Sequence, residues 1–299
     1  MANGFYTDYA AYLERFFPGM KVQKISVNTG FGCPNRDGTL GTGGCIYCNN
    51  TSFTPSYCFN NTSVSSQIEA GIRFFSRKYR DMRYLAYFQS FTGTYKSKAE
   101  ELRSLYEIAL NHPHVVGLVV GTRPDCLEDE KVKMLEELNQ KWPVFVELGV
   151  ESMHDNTLRL INRGHDSKTT ENAVANLVKA GLHVGAHLIA GLPGEDESMM
   201  LESVAKVCEL GIETLKLHQL QVLRDTPLYD MTTKGIIKIN PWKLEDYLNF
   251  CVKVIDKVPR SIAIERFLAS APPQLVVTPK WGIKNYEFTN LLINKLNKR

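Results

Sequence analysis

Lys24-Ile-Ser-Val-Asn-Thr-Gly30-Phe-Gly-Cys33-Pro-Asn-Arg-Asp-Gly-Thr-Leu-Gly-Thr-Gly-Gly-Cys45-Ile-Tyr-Cys48 is the stretch on which the reading of the whole chain turns. Its first seven residues read as a strand ending in glycine. A loop follows directly, with three cysteines spaced C-x11-C-x2-C and Gly38, Gly41, Gly43 and Gly44 between them. Glycine allows positive φ and close approach of backbone to a bulky ligand. Two cysteines separated by two residues can aim both sulfurs at one centre, and thiolates are soft ligands that suit zinc or iron–sulfur clusters. The sequence holds no second short cysteine pair. Three ligands on a [4Fe–4S] cluster leave one iron open to a substrate or cofactor. Two other readings stand beside this one. Cys58 could complete a structural zinc site, although such sites usually use two short pairs, or the cysteines could be plain loop residues.

Outward from this loop a rhythm sets in. Strand-like runs at 84–90, 115–121, 144–150, 182–190, 214–222 and 262–267 alternate with helical patterns at 63–79, 97–110, 128–140, 154–161, 169–180, 197–210, 241–257 and 286–297. Residues 5–17 read as a short amphipathic packing helix carrying Tyr9, Tyr12, Phe16 and Phe17. Strands alternating with helices imply a parallel sheet with crossover helices. Six or seven such units predict an α/β fold, a full or partial (β/α)6 barrel like a TIM barrel. The expected division is 1–230 for the barrel, with the cluster loop at 31–50, and 231–299 for a short C-terminal extension packed on it. Chemistry in such a barrel gathers at the C-terminal ends of the strands, which is where the cysteine loop lies.

Composition narrows the setting. The chain has 299 residues, 43% of them apolar, and a net charge of +3, which neither demands nor excludes a nucleic-acid partner. The N-terminal region shows no signal-peptide pattern and no apolar run is long enough to span a membrane, so a cytoplasmic protein without a membrane partner is expected. In a reducing cytoplasm clustered cysteines read as metal ligands rather than disulfides. Cys58, Cys126, Cys208 and Cys251 read as structural.

The strand ends supply the other candidates. Gln89 and Thr92 follow the second strand; the plain alternative is a turn in which Thr94 or Ser97 caps the next helix. Arg123 can bind a carboxylate or phosphate bidentately, or pair with Asp125 or Glu147. Glu147 and Glu151 share one parity and point to one face, where a carboxylate is costly unless paired. His187, Lys216 and His218 also point inward, so they read as cofactor or substrate contacts.

With Tyr47 immediately before Cys48, the cysteine loop resembles the motif of the radical S-adenosylmethionine (SAM) superfamily. Its wide first spacing resembles the Elongator-like branch, and within it the YtqA/YhcC (MnmL-like) family. Gly121-Thr-Arg-Pro-Asp125 matches a turn of Elongator-like relatives, and Asn162-Arg-Gly-His165 is similar to a segment of the Elongator catalytic subunit. The resemblance implies that Cys33, Cys45 and Cys48 hold a [4Fe–4S] cluster and that SAM, bound at the open iron, is cleaved to a 5′-deoxyadenosyl radical. It implies Tyr47, Gln89, Thr92, Glu151, Arg163, Ile189, Gly191, Leu192 and His218 as SAM contacts: Gln89 and Thr92 at the methionine amino group, Glu151 at the ribose or methionine end, Arg163 at the carboxylate. Ile189, Gly191 and Leu192, in the turn into Gly191-Leu-Pro-Gly-Glu195, would lie against the adenine. Arg123, Glu147, His187 and Lys216 are the catalytic candidates.

The tail mixes basic and aromatic residues, which suits RNA; Arg266, Lys280, Trp281 and Lys284 are its candidates. The family implies tRNA as partner, a wobble-uridine side chain such as 5-carboxymethylaminomethyluridine as substrate, and a reductant such as flavodoxin or ferredoxin. A radical enzyme acting on a small molecule and a zinc-containing RNA-binding protein are the alternatives.

Overall fold

The computed structural model describes residues 4–59, 63–76 and 81–299. Strand β1 (Thr7–Asp8) leads into helix α1 (Tyr9–Leu13), and β2 (Lys21–Val27) leads into the cysteine loop. After α2 (Ser56–Phe59) and α3 (Val64–Ser76) the regular alternation begins: β3 (Met82–Phe88), α4 (Ala99–Leu110), β4 (Val115–Thr122), α5 (Asp129–Asn139), β5 (Val144–Glu151). It continues with α6 (Asp155–Leu160), α7 (Ser167–Lys179), β6 (His183–Ala190), α8 (Glu197–Glu209) and β7 (Thr214–Gln219). The C-terminal part adds β8 (Val222–Leu223), α9 (Pro227–Thr233), α10 (Leu244–Lys257), β9 (Ala263–Arg266), β10 (Val276–Thr278) and α11 (Asn285–Leu296). The end of the helix expected at 63–79 falls outside the described residues.

Eight strands form one parallel sheet in the order β1-β9-β7-β6-β5-β4-β3-β2. The sheet curls into a half-barrel, so the partial form of the expected barrel is the one present. β9 lies in the sheet between β7 and β1, although its sequence belongs to the tail. The helix after β3 is capped by Lys98, not by Thr94 or Ser97; the Thr94 hydroxyl bonds Thr122 Oγ1 and Cys126 O instead, each at 2.6 Å.

Strand alternation sorts the side chains. Ile25, Val27, Ala86, Phe88, Leu118, Val120, Val146, Leu148, Val184, Ala186, Leu215 and Leu217 face the helices and form the main core. Inside the curl the lower level is aromatic and apolar: Tyr12, Leu13 and Phe17 pack with Leu85, Val119 and Phe145. Small residues keep the interior open. A Cβ on Gly121 would sit 3.3 Å from Gln89 Cα, and one on Gly149 would sit 2.8 Å from both Arg163 Nη2 and Glu151 Oε1.

Candidate active site

Above the aromatic level lies a cavity of about 250 Å³, walled by the cysteine loop and by strand ends from β3 to β9. Cys33, Cys45 and Cys48 line it together, with Tyr47, Gln89, Thr92, Arg123, Glu147, Glu151, Arg163, His187, Ile189, His218 and Arg266. Residues scattered from 33 to 266 thus share one chamber at the C-terminal ends of the strands.

The loop is moored before any ligand is considered. Asn35 Nδ2 donates to Asn162 O, Asn162 Nδ2 to Gly44 O at 2.9 Å, and Arg36 Nη2 to Cys48 O at 2.8 Å. Arg163 Nη1 and Asn35 Nδ2 approach Cys45 Sγ at 3.6 and 3.7 Å. N–H donors aimed at sulfur are how proteins tune thiolate ligands. Burial first, and then Cys45, push the Cys48 thiol up to about 11, so that thiol needs a cation to ionise. Among the described residues no three His, Cys, Asp or Glu side chains converge as ligands of a single metal ion do. Cys58 is buried elsewhere, donating to Ser26 O at 3.3 Å, and does not line the cavity. The donor set therefore fits a cluster with three thiolates.

Polar atoms without partners point to a polar occupant. Thr92 Oγ1, Arg123 Nη1 and Arg163 Nε are buried and make no hydrogen bond, a costly arrangement unless a ligand meets them. Arg123 is gripped bidentately by Asp125 at 2.8 Å and donates to Arg163 O at 2.7 Å, so its acid partner is Asp125 rather than Glu147. Glu151 sits at φ +70° beside Arg163, 3.6 Å from its Nη2. Burial raises its carboxyl, and Arg163 opposes the rise. Gln89 Nε2 is held by Ser26 Oγ and Phe53 O, both at 3.0 Å.

A second polar group spans the interior below. Glu147 Oε2 accepts from Lys216 Nζ at 2.8 Å, His187 Nε2 at 2.9 Å and Tyr87 Oη at 2.6 Å; Oε1 pairs with Lys24. Glu265 takes Lys24 at 2.6 Å and Lys216 at 3.1 Å. Burial alone would raise the Glu147 carboxyl, but Lys216, Lys24 and His187 hold it well below the carboxylate range. Burial, then Lys216, lowers His187 to about 4. Burial and then Arg266 lower His218 as well, so both imidazoles are neutral near pH 7. Lys24, Tyr87 and Glu265 were not among the sequence candidates. Lys24 and Glu265 are 241 positions apart, and only the parity of inward residues on facing strands could have hinted at the pairing.

Some candidates lie elsewhere. The space over Gly191, at φ +93°, is filled by Trp242: a Cβ there would fall 2.6 Å from the indole Nε1, which donates to Ala190 O at 3.2 Å. Leu192 does not line the cavity; it is buried in the cluster of Ile46 and Ile161 that backs Ile189. Lys216 lies beneath the cavity against Glu147. Trp281 packs on Tyr247 and Phe288 and donates to Trp242 O at 3.1 Å. Lys280 and Lys284 are exposed, Lys284 preceding α11, and neither lines the cavity.

Comparison with known proteins agrees with this geometry. Residues 27–207 match the Radical SAM superfamily and residues 212–298 its C-terminal domain. The chain is 35% identical to the uncharacterized protein YtqA of Bacillus subtilis over 94% of this chain and 86% of YtqA. It is 38% identical to protein YhcC of Escherichia coli over 88% of this chain and 83% of YhcC. A tRNA uridine(34) acetyltransferase of Methanocaldococcus jannaschii is 26% identical over 73% of this chain and 40% of that protein. The fold is shared with the solved structure of Methanocaldococcus infernus Elp3, at a TM-score of 0.70 and 20% identity, over 93% of this chain and 63% of that one. The chain belongs to the radical SAM superfamily, in its Elongator-like YtqA/YhcC family, and is an enzyme of that class with a [4Fe–4S] cluster and SAM as its cofactors.

Proposed function

We propose that this chain modifies the side chain of the wobble uridine of tRNA, for example 5-carboxymethylaminomethyluridine, by radical chemistry at the cavity described above. The observation that carries the radical part is the gathering of Cys33, Cys45 and Cys48 on one wall with the unpartnered donors of Thr92, Arg123 and Arg163. Similarity to a protein named for uridine 34 of tRNA supports the substrate.

Cys33, Cys45 and Cys48 hold the cluster. When bound and reduced, it supplies the electron that cleaves SAM to methionine and a 5′-deoxyadenosyl radical, the hydrogen-abstracting agent. Arg163 and Asn35 donate to Cys45 and fix the loop. Arg163 and Glu151 receive the charged methionine end and ribose of SAM, with Thr92 and Gln89 beside the amino group. Ile189 and Tyr47 give the adenine apolar contact. Glu147, held ionised by the two lysines, fixes His187 with its Nε2 proton toward the carboxylate, so Nδ1 is left as an acceptor. Exposed Lys280 and Lys284 meet RNA phosphates. Flavodoxin or ferredoxin supplies the electron.

The test is anaerobic reconstitution with iron and sulfide, then SAM, dithionite and tRNA from cells that lack this chain. The expected result is 5′-deoxyadenosine together with a mass change in one uridine nucleoside. A protein that holds no iron and forms no 5′-deoxyadenosine overturns the radical reading. One that forms it and leaves every tRNA nucleoside unchanged overturns the tRNA reading and points to a small molecule.

A further inference from the structure

In the group around Glu147 and Glu265 the charges do not pair off one to one. Lys24, Lys216 and Arg266 bring three positive charges, whereas Glu147 and Glu265 bring two negative ones, and both carboxylates are engaged by the lysines. The imidazoles of His187 and His218 add no charge near neutral pH. Arg266 is half-buried on the cavity wall and has no ion-pair partner among the described residues. Its Nε donates to His218 Nε2 at 3.2 Å.

That one bond has two consequences. His218 accepts at Nε2, so its proton sits on Nδ1, which becomes a donor. Arg266 keeps both Nη groups for another partner. A guanidinium edge with two parallel N–H bonds matches a planar carboxylate, and burying a cation without a counter-ion is costly. On the cluster side it is Arg163, not Arg266, that touches Cys45.

We propose that Arg266, backed by His218, is the seat for a carboxylate of the substrate, which would pair the one cation of this group that no carboxylate among the described residues meets. This assignment rests on reading the cavity as the substrate site, but not on the substrate being tRNA.

Thermal unfolding of the reconstituted holoenzyme, titrated with sodium acetate against sodium chloride at equal ionic strength, tests it. Acetate is expected to raise Tm saturably by a few degrees in the wild type, because a ligand that binds only the folded state stabilises it. Arg266→Gln should lose the response, and Arg266→Lys should keep part of it. In chloride Arg266→Gln should unfold no lower than the wild type, since it removes an uncompensated charge. Equal responses of wild type and Arg266→Gln, or none in either, overturn the seat, as does a lower Tm of Arg266→Gln in chloride. Inorganic phosphate acting where acetate does not overturns the carboxylate. Loss of the wild-type acetate response at saturating SAM gives the seat to SAM instead of the substrate. None of these readings depends on tRNA, so failure of the tRNA reading and failure of the seat remain distinct.

Discussion

Cys45 is the buried member of the three cysteines and the one that two side chains, Arg163 and Asn35, already address. Replacing it by alanine removes one ligand and the sulfur that orders both donors. Cys45→Ala is expected to lose most of its iron and all 5′-deoxyadenosine formation, measured by iron content and by product after reduction. His187 makes a different prediction. Its folded value, about 4, lies below the ordinary 6.5, so the unfolded chain binds the proton first. Its contribution to stability is therefore complete above pH 6.5 and is lost as the pH falls toward 4, by roughly 1–3 kcal/mol. His187→Gln should flatten the pH dependence of urea unfolding between those limits, although Glu147, Lys216, His218 and Glu265 still surround the site. At this scale the sequence was informative about need rather than partner. Parity placed Glu147 inside, where it required a cation. That Lys24, Lys216 and Tyr87 would meet it depends on how the sheet curls, which no local pattern encodes.

Elements carry the geometry through close contacts that only glycine permits. Gly149 stands on β5 where the register shifts toward Glu151, and its missing side chain is where Arg163 and Glu151 lie. Gly149→Ala should cost about 1–3 kcal/mol of stability but reduce 5′-deoxyadenosine formation on the order of 10²-fold by displacing Arg163; activity and urea unfolding measured together separate the two effects. On the outer face Gly71 lets α3 lie flat on β2, and a methyl group there would land on Ile25 Cγ2. Gly71→Ala is a packing change distant from the chemistry, so its expected signature is a lower unfolding midpoint. The strands were legible as apolar runs and the helices by their period, because both signals are local. The turn at Gly191 was read as open to a ligand, whereas Trp242 closes it from 51 positions further along the chain. Trp281 was likewise read as an RNA contact, whereas its ring packs on Tyr247 and Phe288.

The whole molecule is a stack of levels inside one curled sheet: aromatic below, charged in the middle, polar and sulfur-lined above. Lys280 and Lys284 lie outside that stack. Lys280→Ala with Lys284→Ala is expected to weaken tRNA binding and its salt dependence together while leaving iron content unaltered, as a binding titration at two ionic strengths would register. The chain closes the stack with its two extremities, since Thr7 and Asp8 in β1 pair with Ala263 and Ile264 in β9, and β9 pairs with β7. During synthesis, every strand from β2 to β7 can leave the ribosome while Glu265 is still untranslated. Until that carboxylate emerges, Glu147 alone must answer both lysines. The cysteine loop, made long before β9, thus waits for that strand before both lysines beneath it have their second carboxylate.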